Sequence, residues 1–112
     1  MLHKKVSVLG TEYEIHIEDN GTDKELLECD GYCDKTTKKI VVTKETDSCN
    51  LGDFSVYQRK IMRHELTHAF LFESGLHENW EKNQGHDETM VDWIACMFPK
   101  MQRAFQEVGC LE

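Results

Sequence analysis

The sequence predicts a small α+β domain: three or four mainly antiparallel strands packed on one long helix, followed by a second helix and a short C-terminal helix. Strand-forming patterns of β-branched or aromatic residues occur in residues 5–18 and 30–43. Residues 56–74 and 87–108 instead carry apolar residues at helical spacing. The 112 residues have room for one core, so we expect residues 1–112 to form a single domain.

Two β-hairpins account for the predicted strands. The first is expected to turn at Gly10 and Thr11, and the second to turn through the polar residues 35–38. Residues 24–28 fit a helical turn as well as a strand, so they remain unassigned. The strand segments are residues 5–9, 12–18, 30–34 and 39–43.

The long helix has signals at both ends. Ser55 and Gln58 have the spacing of a capping box, in which two side chains satisfy free amides at the start of a helix. Gly75 stands where a helix commonly ends on a left-handed residue. Six apolar residues give the helix a broad face suited to a protein core. They are Ile61, Met62, Leu66, Ala69, Phe70 and Phe72.

The C-terminal third is predicted to be helical with one interruption. A polar connector, residues 75–86, leads to Asp87, which can cap a helix extending to about Phe98. Pro99 is expected to stop or kink that helix, and residues 100–108 are expected to form a short amphipathic one. The side chains expected to face inward are Val91, Ile94, Ala95, Phe98, Met101, Phe105 and Val108.

The long helix contains the run His-Glu-Leu-Thr-His, from His64 to His68. Residues four apart lie one turn apart on the same helix face, so these histidines can direct two imidazoles to one point. Two imidazoles form half of a zinc site. Glu65 borders the same face, where a carboxylate can act as general base toward a water on the metal. The alternative is an exposed face with two ordinary histidines, but the apolar, well-bounded helix favours the metal site.

A third ligand must come from elsewhere in the chain, because catalytic zinc takes three protein ligands and leaves one position open. Glu88 stands twenty residues beyond His68, and Asp92 follows one turn later. In this pattern the sequence resembles the gluzincin metallopeptidases, in which His-Glu-x-x-His is followed by Glu-x-x-x-Asp on a second helix. The resemblance implies that His64, His68 and Glu88 bind one Zn²⁺ ion. It also implies that Glu65 is the catalytic base and that Asp92 orients His64.

Within that clan, residues 28–100 look most like the small ImmA/IrrE-type proteases of phages and mobile elements and like the single-domain minigluzincins. The shared features are Asp-Gly-Tyr at residues 30–32, Lys-Ile-Val-Val at residues 39–42, His-Glu-Leu-Thr-His-Ala-Phe and Glu-x-x-Val-Asp-Trp. The resemblance implies a minimal zincin-like fold and peptide-bond hydrolysis. It also implies a protein or peptide substrate aligned on an edge strand, such as a phage or mobile-element repressor. The DNA-binding or sensor domain of some larger members is not predicted here.

The oxyanion formed during peptide hydrolysis needs a hydrogen-bond donor in addition to zinc. Gluzincins commonly supply a His or a Tyr from outside the motif. The candidates here are His86, His77, Tyr57 and Tyr32, and their spacing does not choose among them. An exposed loop histidine is the simpler interpretation of His77.

Composition bears on partners and location. The formal charge is −8, with 13 basic and 21 acidic residues, which argues against nucleic-acid binding because the phosphate backbone favours clustered Lys and Arg. No apolar run is long enough to cross a bilayer, and no charged-then-apolar leader is found. We therefore expect no membrane partner and a cytoplasmic location. The sequence does not determine the oligomeric state, for which a monomer is the favoured expectation.

The five cysteines are an odd number, and we expect them to be reduced. Two alternatives to an active enzyme remain open. The same ligands could hold structural zinc in a protein-binding module, with Cys110 or Cys49 as a fourth ligand that closes the site. The chain could also be a latent protease in which residues 110–112 cover the cleft.

Overall fold

Four strands form one mixed sheet in the computed structural model, which describes residues 1–79 and 87–111. The strands are β1 (Leu2–Val8), β2 (Thr11–Glu18), β3 (Gly31–Asp34) and β4 (Lys39–Thr43). Their order across the sheet is β1-β2-β4-β3. The pairs β1–β2 and β3–β4 are antiparallel, whereas β2 and β4 are parallel. The two predicted hairpins are therefore confirmed, and β1 and β3 lie at the edges of the sheet.

Backbone conformation explains the turns. Leu9 and Gly10 have φ values of 50° and 89°, so the first turn lies one residue earlier than predicted and Thr11 already belongs to β2. Positive φ at both central residues of a tight turn matches the twist of the flanking strands. In the second hairpin, Lys38 has a φ of 57°. The unassigned segment forms a short 3₁₀ helix, Lys24–Leu27.

The helix α1 (Phe54–Ser74) packs on the sheet and carries the His-Glu-x-x-His run. Its N-cap is Asp53, which has extended backbone and accepts a hydrogen bond from the Ser55 amide at 3.0 Å. The predicted capping box of Ser55 and Gln58 is therefore wrong. The Gln58 side-chain amide donates instead to the carbonyl of Thr43, at the end of β4, at 2.9 Å.

The core lies between the sheet and α1, and a polar cluster borders it. Tyr13 is fully buried, and its hydroxyl donates to Glu73 Oε2 at 2.7 Å. Lys38 Nζ donates to the same oxygen at 2.8 Å. These bonds link the C-terminal end of α1 to β2 and to the β3–β4 turn. The main core cluster consists of Val8, Tyr13, Ile15, Ile40, Val42, Ile61 and Ala69.

A second, shorter helix follows α1 directly. Gly75 ends α1 in the left-handed region with a φ of 80°, as predicted. The four-residue helix α2 (Leu76–Asn79) then occupies the start of the segment predicted to be a polar connector. The rest of that connector, residues 80–86, lies outside the described residues. In the two described ranges, no helix combines the length and the apolar character that a membrane span requires.

The last helix, α3 (Glu88–Glu107), is continuous and is capped by Asp87 as predicted. The predicted break at Pro99 and the separate C-terminal helix are therefore wrong. Pro99 lacks the amide hydrogen that would bond the carbonyl of Ala95. Arg63 Nε, from α1, donates to that carbonyl at 2.7 Å instead. A buried carbonyl left without a partner costs about 1–3 kcal/mol, so Arg63 removes a main penalty of a proline inside this helix.

Burial along α3 differs from the predicted pattern. Val91 and Ala95 are fully buried and Ile94 is half-buried, but the remaining side chains expected to face inward are exposed. Residues 100–107 are all exposed, because this half of α3 extends beyond the surface that α1 covers. Phe70 of α1, predicted to face the core, is exposed as well. The exposed fractions are Phe70 45%, Phe98 47%, Met101 36%, Phe105 39% and Val108 74%.

Candidate metal centre

α1 and α3 bring together three side chains that could act as metal ligands. His64 and His68 lie one turn apart on α1, with their ring centroids separated by 5.0 Å. Glu88, the first residue of α3, reaches both rings. Its Oε2 lies 2.9 Å from His64 Nε2, and its Oε1 lies 2.9 Å from His68 Nε2. The structure thus joins the three predicted ligands, although Glu88 is 24 residues from His64 in the chain.

The three side chains could hold a metal ion. One ligand atom each from His64, His68 and Glu88 lie within 4.8 Å of one another. Zinc bonds of about 2.0–2.1 Å at tetrahedral angles separate ligand atoms by roughly 3.4 Å. The 2.9 Å contacts between carboxylate and imidazoles are shorter than that spacing, so the ligand atoms would move apart slightly around an ion. Two imidazoles and a carboxylate suit zinc first and also cobalt, nickel or manganese. These residues could therefore hold a metal ion.

Glu65 is buried beside the two histidines, with 7% of its surface exposed. Burial raises the pKa of its carboxyl to about 7, while charge on His64 acts to lower that pKa and the Glu88 carboxylate acts to raise it. A carboxyl group with a pKa near neutrality can both accept and release a proton at ordinary pH. The surroundings of Glu65 therefore suit a group that carries a proton.

Asp92 contacts the ring nitrogen of His64 that Glu88 does not. Its Oδ1 lies 3.3 Å from His64 Nδ1, the position from which a carboxylate fixes the tautomer and orientation of a metal-binding imidazole. Lys60 forms an ion pair with the same oxygen, and this hydrogen bond is the main cause that lowers the pKa of Asp92. Lys60 is not among the predicted site residues, although its place four residues before His64 puts it on the same helix face.

A cleft runs beside His64, His68 and Glu88 along the edge strand β3. Two hollows, of about 260 and 270 Å³, both include Gly31, Glu65 and Glu88 in their linings. The Glu88 side chain is 75% exposed, so the cluster opens to solvent on this side. One hollow continues past Asp30, Tyr57, Lys60, Ile61, His64 and Asp92. The other continues past Tyr32, Cys33, His68 and Phe72.

Both tyrosines proposed as oxyanion donors line this cleft, and both hydroxyls have partners. The Tyr57 hydroxyl donates to the Asp30 carboxylate. That hydrogen bond, together with burial, raises the pKa of Tyr57 to about 12, so the phenol keeps its proton at neutral pH. The Tyr32 hydroxyl donates to Asp23, at the start of the 3₁₀ helix. Tyr57 lies in the hollow that contains His64, whereas Tyr32 lies in the hollow that contains His68.

The two histidines proposed for the same role are placed differently. Nε2 of His77 lies 3.0 Å from the Glu78 carboxylate and 3.1 Å from Lys35 Nζ. Its ring packs edge-on against Phe72, with centroids 4.7 Å apart. Neither hollow includes His77 among its described lining residues. His86 lies outside the described residues.

The residues proposed to close or cover the site lie elsewhere. In the described part of the chain, neither Cys49 nor Cys110 belongs to the metal-binding group. Cys110 and Leu111 are exposed beyond the end of α3, and the 20 residues of that helix span about 30 Å. These two residues therefore do not cover the cleft in this structure, as the latent-protease alternative would require, and Glu112 lies outside the described residues.

The geometry of the site rests on two helices that meet at His64, His68 and Glu88. The described residues around it form a small α+β arrangement of a four-stranded mixed sheet and three α-helices. Comparison of the chain with known protein families, with curated proteins and with solved structures found no significant match. The function must therefore be inferred from the chemistry of this site.

Proposed function

We propose that this protein is a zinc-dependent metallo-endopeptidase. The observation that carries the proposal is the convergence of His64, His68 and Glu88, with the buried carboxyl of Glu65 in the same cleft. This combination offers a metal-binding group and a proton carrier next to one another. The spacing of His-Glu-x-x-His and Glu-x-x-x-Asp, which resembles that of the gluzincins, supports the same reaction class.

In the proposed mechanism, His64, His68 and Glu88 hold the zinc ion. Bound zinc would supply a lowered pKa for water and polarisation of the scissile carbonyl. Glu65 accepts a proton from the attacking water and delivers it to the leaving amine. Asp92 keeps the proton of His64 at Nδ1, which leaves Nε2 of that ring free to act as a ligand.

We propose that the substrate is an extended peptide aligned on β3. This strand pairs with β4 on one side and is an edge among the described strands, so a peptide can add to its other side through backbone hydrogen bonds. The hollows on either side of the shared residues Gly31 and Glu65 would receive side chains that flank the scissile bond. In this mode of recognition, backbone hydrogen bonds provide affinity and side-chain pockets provide specificity.

The wider role in this proposal is cleavage of a regulatory protein in the cytoplasm, such as a phage or mobile-element repressor. This part rests on the resemblance to the ImmA/IrrE-type proteases. The acidic chain, at −8, acts without nucleic acid or membrane in this proposal. We propose that it does so as a monomer.

The openness of the site favours a catalytic over a structural role for zinc. Structural zinc is usually enclosed by four side chains. The group found among residues 1–79 and 87–111 has three members and no cysteine. Glu88 is 75% exposed. A cation held by this group would therefore remain accessible to water and to a substrate carbonyl.

The test compares wild type with Glu65→Gln after each is loaded with one equivalent of Zn²⁺. Wild type should cleave an unstructured protein such as casein. Glu65→Gln should keep its zinc but cleave about 10²- to 10⁴-fold more slowly, because it lacks the proton acceptor. Glu107→Gln, at the far end of α3, is the matched control and should remain fully active. Undiminished cleavage by Glu65→Gln would contradict the role of Glu65, and zinc-loaded wild type that cleaves nothing would contradict the proposed reaction.

A further inference from the structure

Arg63 makes a contact that metal binding by itself does not require. It precedes the ligand His64 on α1, and its Nε donates a 2.7 Å hydrogen bond to the carbonyl of Ala95 on α3. In a regular helix that carbonyl would accept from the amide four residues later, which here belongs to Pro99 and has no hydrogen. Ala95 has 0% of its surface exposed, so the carbonyl is shielded from solvent. The Ala95 carbonyl of α3 is therefore a buried acceptor without the usual amide partner inside its own helix. Arg63 of α1 supplies the donor.

This hydrogen bond lies close to the proposed ligands along both helices. Ala95 follows Asp92 by three residues and Glu88 by seven. A helix rises about 1.5 Å per residue, whereas metal–ligand distances tolerate deviations of about 0.2 Å. A displacement of α3 along its axis by a fraction of one residue would therefore separate the Glu88 carboxylate from the imidazoles.

The other described contacts between the two helices are apolar packing or polar links that end on the site residues themselves. The buried residues of α3 are Val91 and Ala95, whose small apolar side chains pack without strong directionality. The remaining polar links that the structure describes between α1 and α3 end on Glu88 or Asp92 themselves. Of the polar links that the structure describes between α1 and α3, the bond from Arg63 is the one that ends on a backbone atom of α3.

We propose that Arg63 is a positioning residue, which holds α3 through the carbonyl left free by Pro99 so that Glu88 and Asp92 meet the histidines of α1. The inference rests on the proposed metal site and extends it to a residue that need touch neither the ion nor the substrate. It also gives Pro99 a role, because its missing amide hydrogen leaves the acceptor available to Arg63.

The first test compares the Zn²⁺ affinity of Arg63→Met with that of Arg59→Met, by competition with a chromogenic chelator under conditions in which both are folded. Arg59 is the matched control because it lies one turn earlier on α1 and its guanidinium donates to Ser55 of the same helix. Arg63→Met should bind about tenfold more weakly than wild type, and Arg59→Met should be unchanged. Equal affinity of the two variants would overturn the inference.

A spectroscopic measurement separates positioning from a general loss of stability. With Co²⁺ in place of Zn²⁺, the visible d–d absorption reports the arrangement of the ligands. Folded Arg63→Met should show a shifted or weaker band, whereas Arg59→Met should reproduce the wild-type spectrum. A wild-type spectrum for Arg63→Met would show that the ligands keep their arrangement without the bond, and would overturn the inference.

The second test is a double-mutant cycle in the metal-free protein, with Arg63→Met and Pro99→Ala, followed by urea unfolding. Pro99→Ala restores an amide hydrogen that can bond the Ala95 carbonyl within α3. Removal of Arg63 should therefore lower the urea midpoint less in the Pro99→Ala background than in wild type. Additive shifts would show that Arg63 and Pro99 do not act through the same carbonyl.

These measurements distinguish failure of the inference from failure of the proposed function. Wild type that binds zinc and cleaves protein, with Arg63→Met of equal zinc affinity, would leave the proposed function intact and overturn the positioning role. Wild type that binds neither zinc nor cobalt would overturn both the proposed function and the positioning role. In that case the double-mutant cycle would still show whether the hydrogen bond from Arg63 to the Ala95 carbonyl stabilises the fold.

Discussion

Gly31 of β3 and Ile61 of α1 lie so close together that a β-carbon at residue 31 would clash with the Ile61 side chain, next to Glu65. A β-carbon at Gly31 would stand 3.4 Å from Cγ of Glu65, 2.7 Å from Cγ2 of Ile61 and 3.1 Å from the carbonyl oxygen of Val41. Ile61 is buried and β-branched, so its methyl group has little freedom to move away. A larger residue at position 31 would therefore push β3 away from α1 where Glu65 enters the cleft.

Gly31→Ala is expected to lower the free energy of unfolding by about 1–3 kcal/mol, the usual cost of overpacking. It should also reduce cleavage per folded molecule, because it displaces the strand beside Glu65. Urea unfolding and cleavage assays measure the two effects. Gly52→Ala is the control, since a β-carbon at Gly52 has nothing within 4 Å. Equal stability of both variants would mean that β3 accepts a side chain at this point.

Glu88→Ala should abolish stoichiometric zinc binding. Wild type should retain about one zinc per chain after dialysis. The variant keeps two imidazoles and should bind at least about 100-fold more weakly, the upper end of the loss seen when an outer partner of a ligand is removed. Elemental analysis of the dialysed proteins measures the ratio, with Glu107→Ala at the far end of α3 as control. One zinc per chain in Glu88→Ala would place the ion elsewhere.

Asp92→Ala should weaken zinc binding by about 10- to 100-fold, because it removes the partner that orients the His64 imidazole. Lys60→Met should have a smaller effect, since Asp92 Oδ1 would still lie near His64 Nδ1 after loss of the ion pair. Competition with a chelator gives both affinities, and Asp47→Ala in the exposed connector before α1 is the control. A larger loss of zinc affinity for Lys60→Met than for Asp92→Ala would contradict the assignment of Asp92 as the partner that orients His64.

The polar cluster around Glu73 predicts how stability depends on pH. Hydrogen bonds from Lys38 and then from Tyr13 lower the pKa of the Glu73 carboxyl from its ordinary value of 4.5 to about 2. A carboxyl with a depressed pKa in the folded state adds stability above its unfolded pKa. This contribution should be complete above pH 4.5 and should disappear as the pH falls toward 2.

Glu73→Gln should therefore unfold at a lower urea concentration than wild type at pH 7. The difference between the two proteins should shrink as the pH falls from about 4.5 to about 2. Urea midpoints at several pH values test this, with Glu45→Gln in the exposed connector as control. A difference that stays constant with pH would mean that the Glu73 carboxylate does not contribute through its charge.

The part of the site that lies on one helix could be predicted from sequence. The α-helical period alone places His64 and His68 on one face with Glu65 beside them, because each backbone hydrogen bond spans four residues. Glu88 and Asp92 could be assigned only from a family resemblance, since no period relates residues on two different helices. The structure places both carboxylates against His64.

The predictions that were wrong for α3 failed for the same reason, because each depended on contacts between distant segments of the chain. Pro99 predicts a helix end when α3 is considered by itself, but Arg63 from α1 satisfies the carbonyl that the proline leaves free. Helical spacing predicts that Phe98 and Phe105 share an apolar face, and it does not predict whether another element covers that face. Both side chains are exposed in the structure.

The sequence by itself determined the two hairpins, the bounded helix α1 and the alignment of its two histidines. These features depend on backbone hydrogen bonds and side-chain periods among residues a few positions apart. Only the tertiary structure decided that β3 borders the cleft, that Lys60 pairs with Asp92 and that Gly31 must lack a side chain. Those relationships depend on how closely separate elements pack. The number of residues between two positions does not determine that packing.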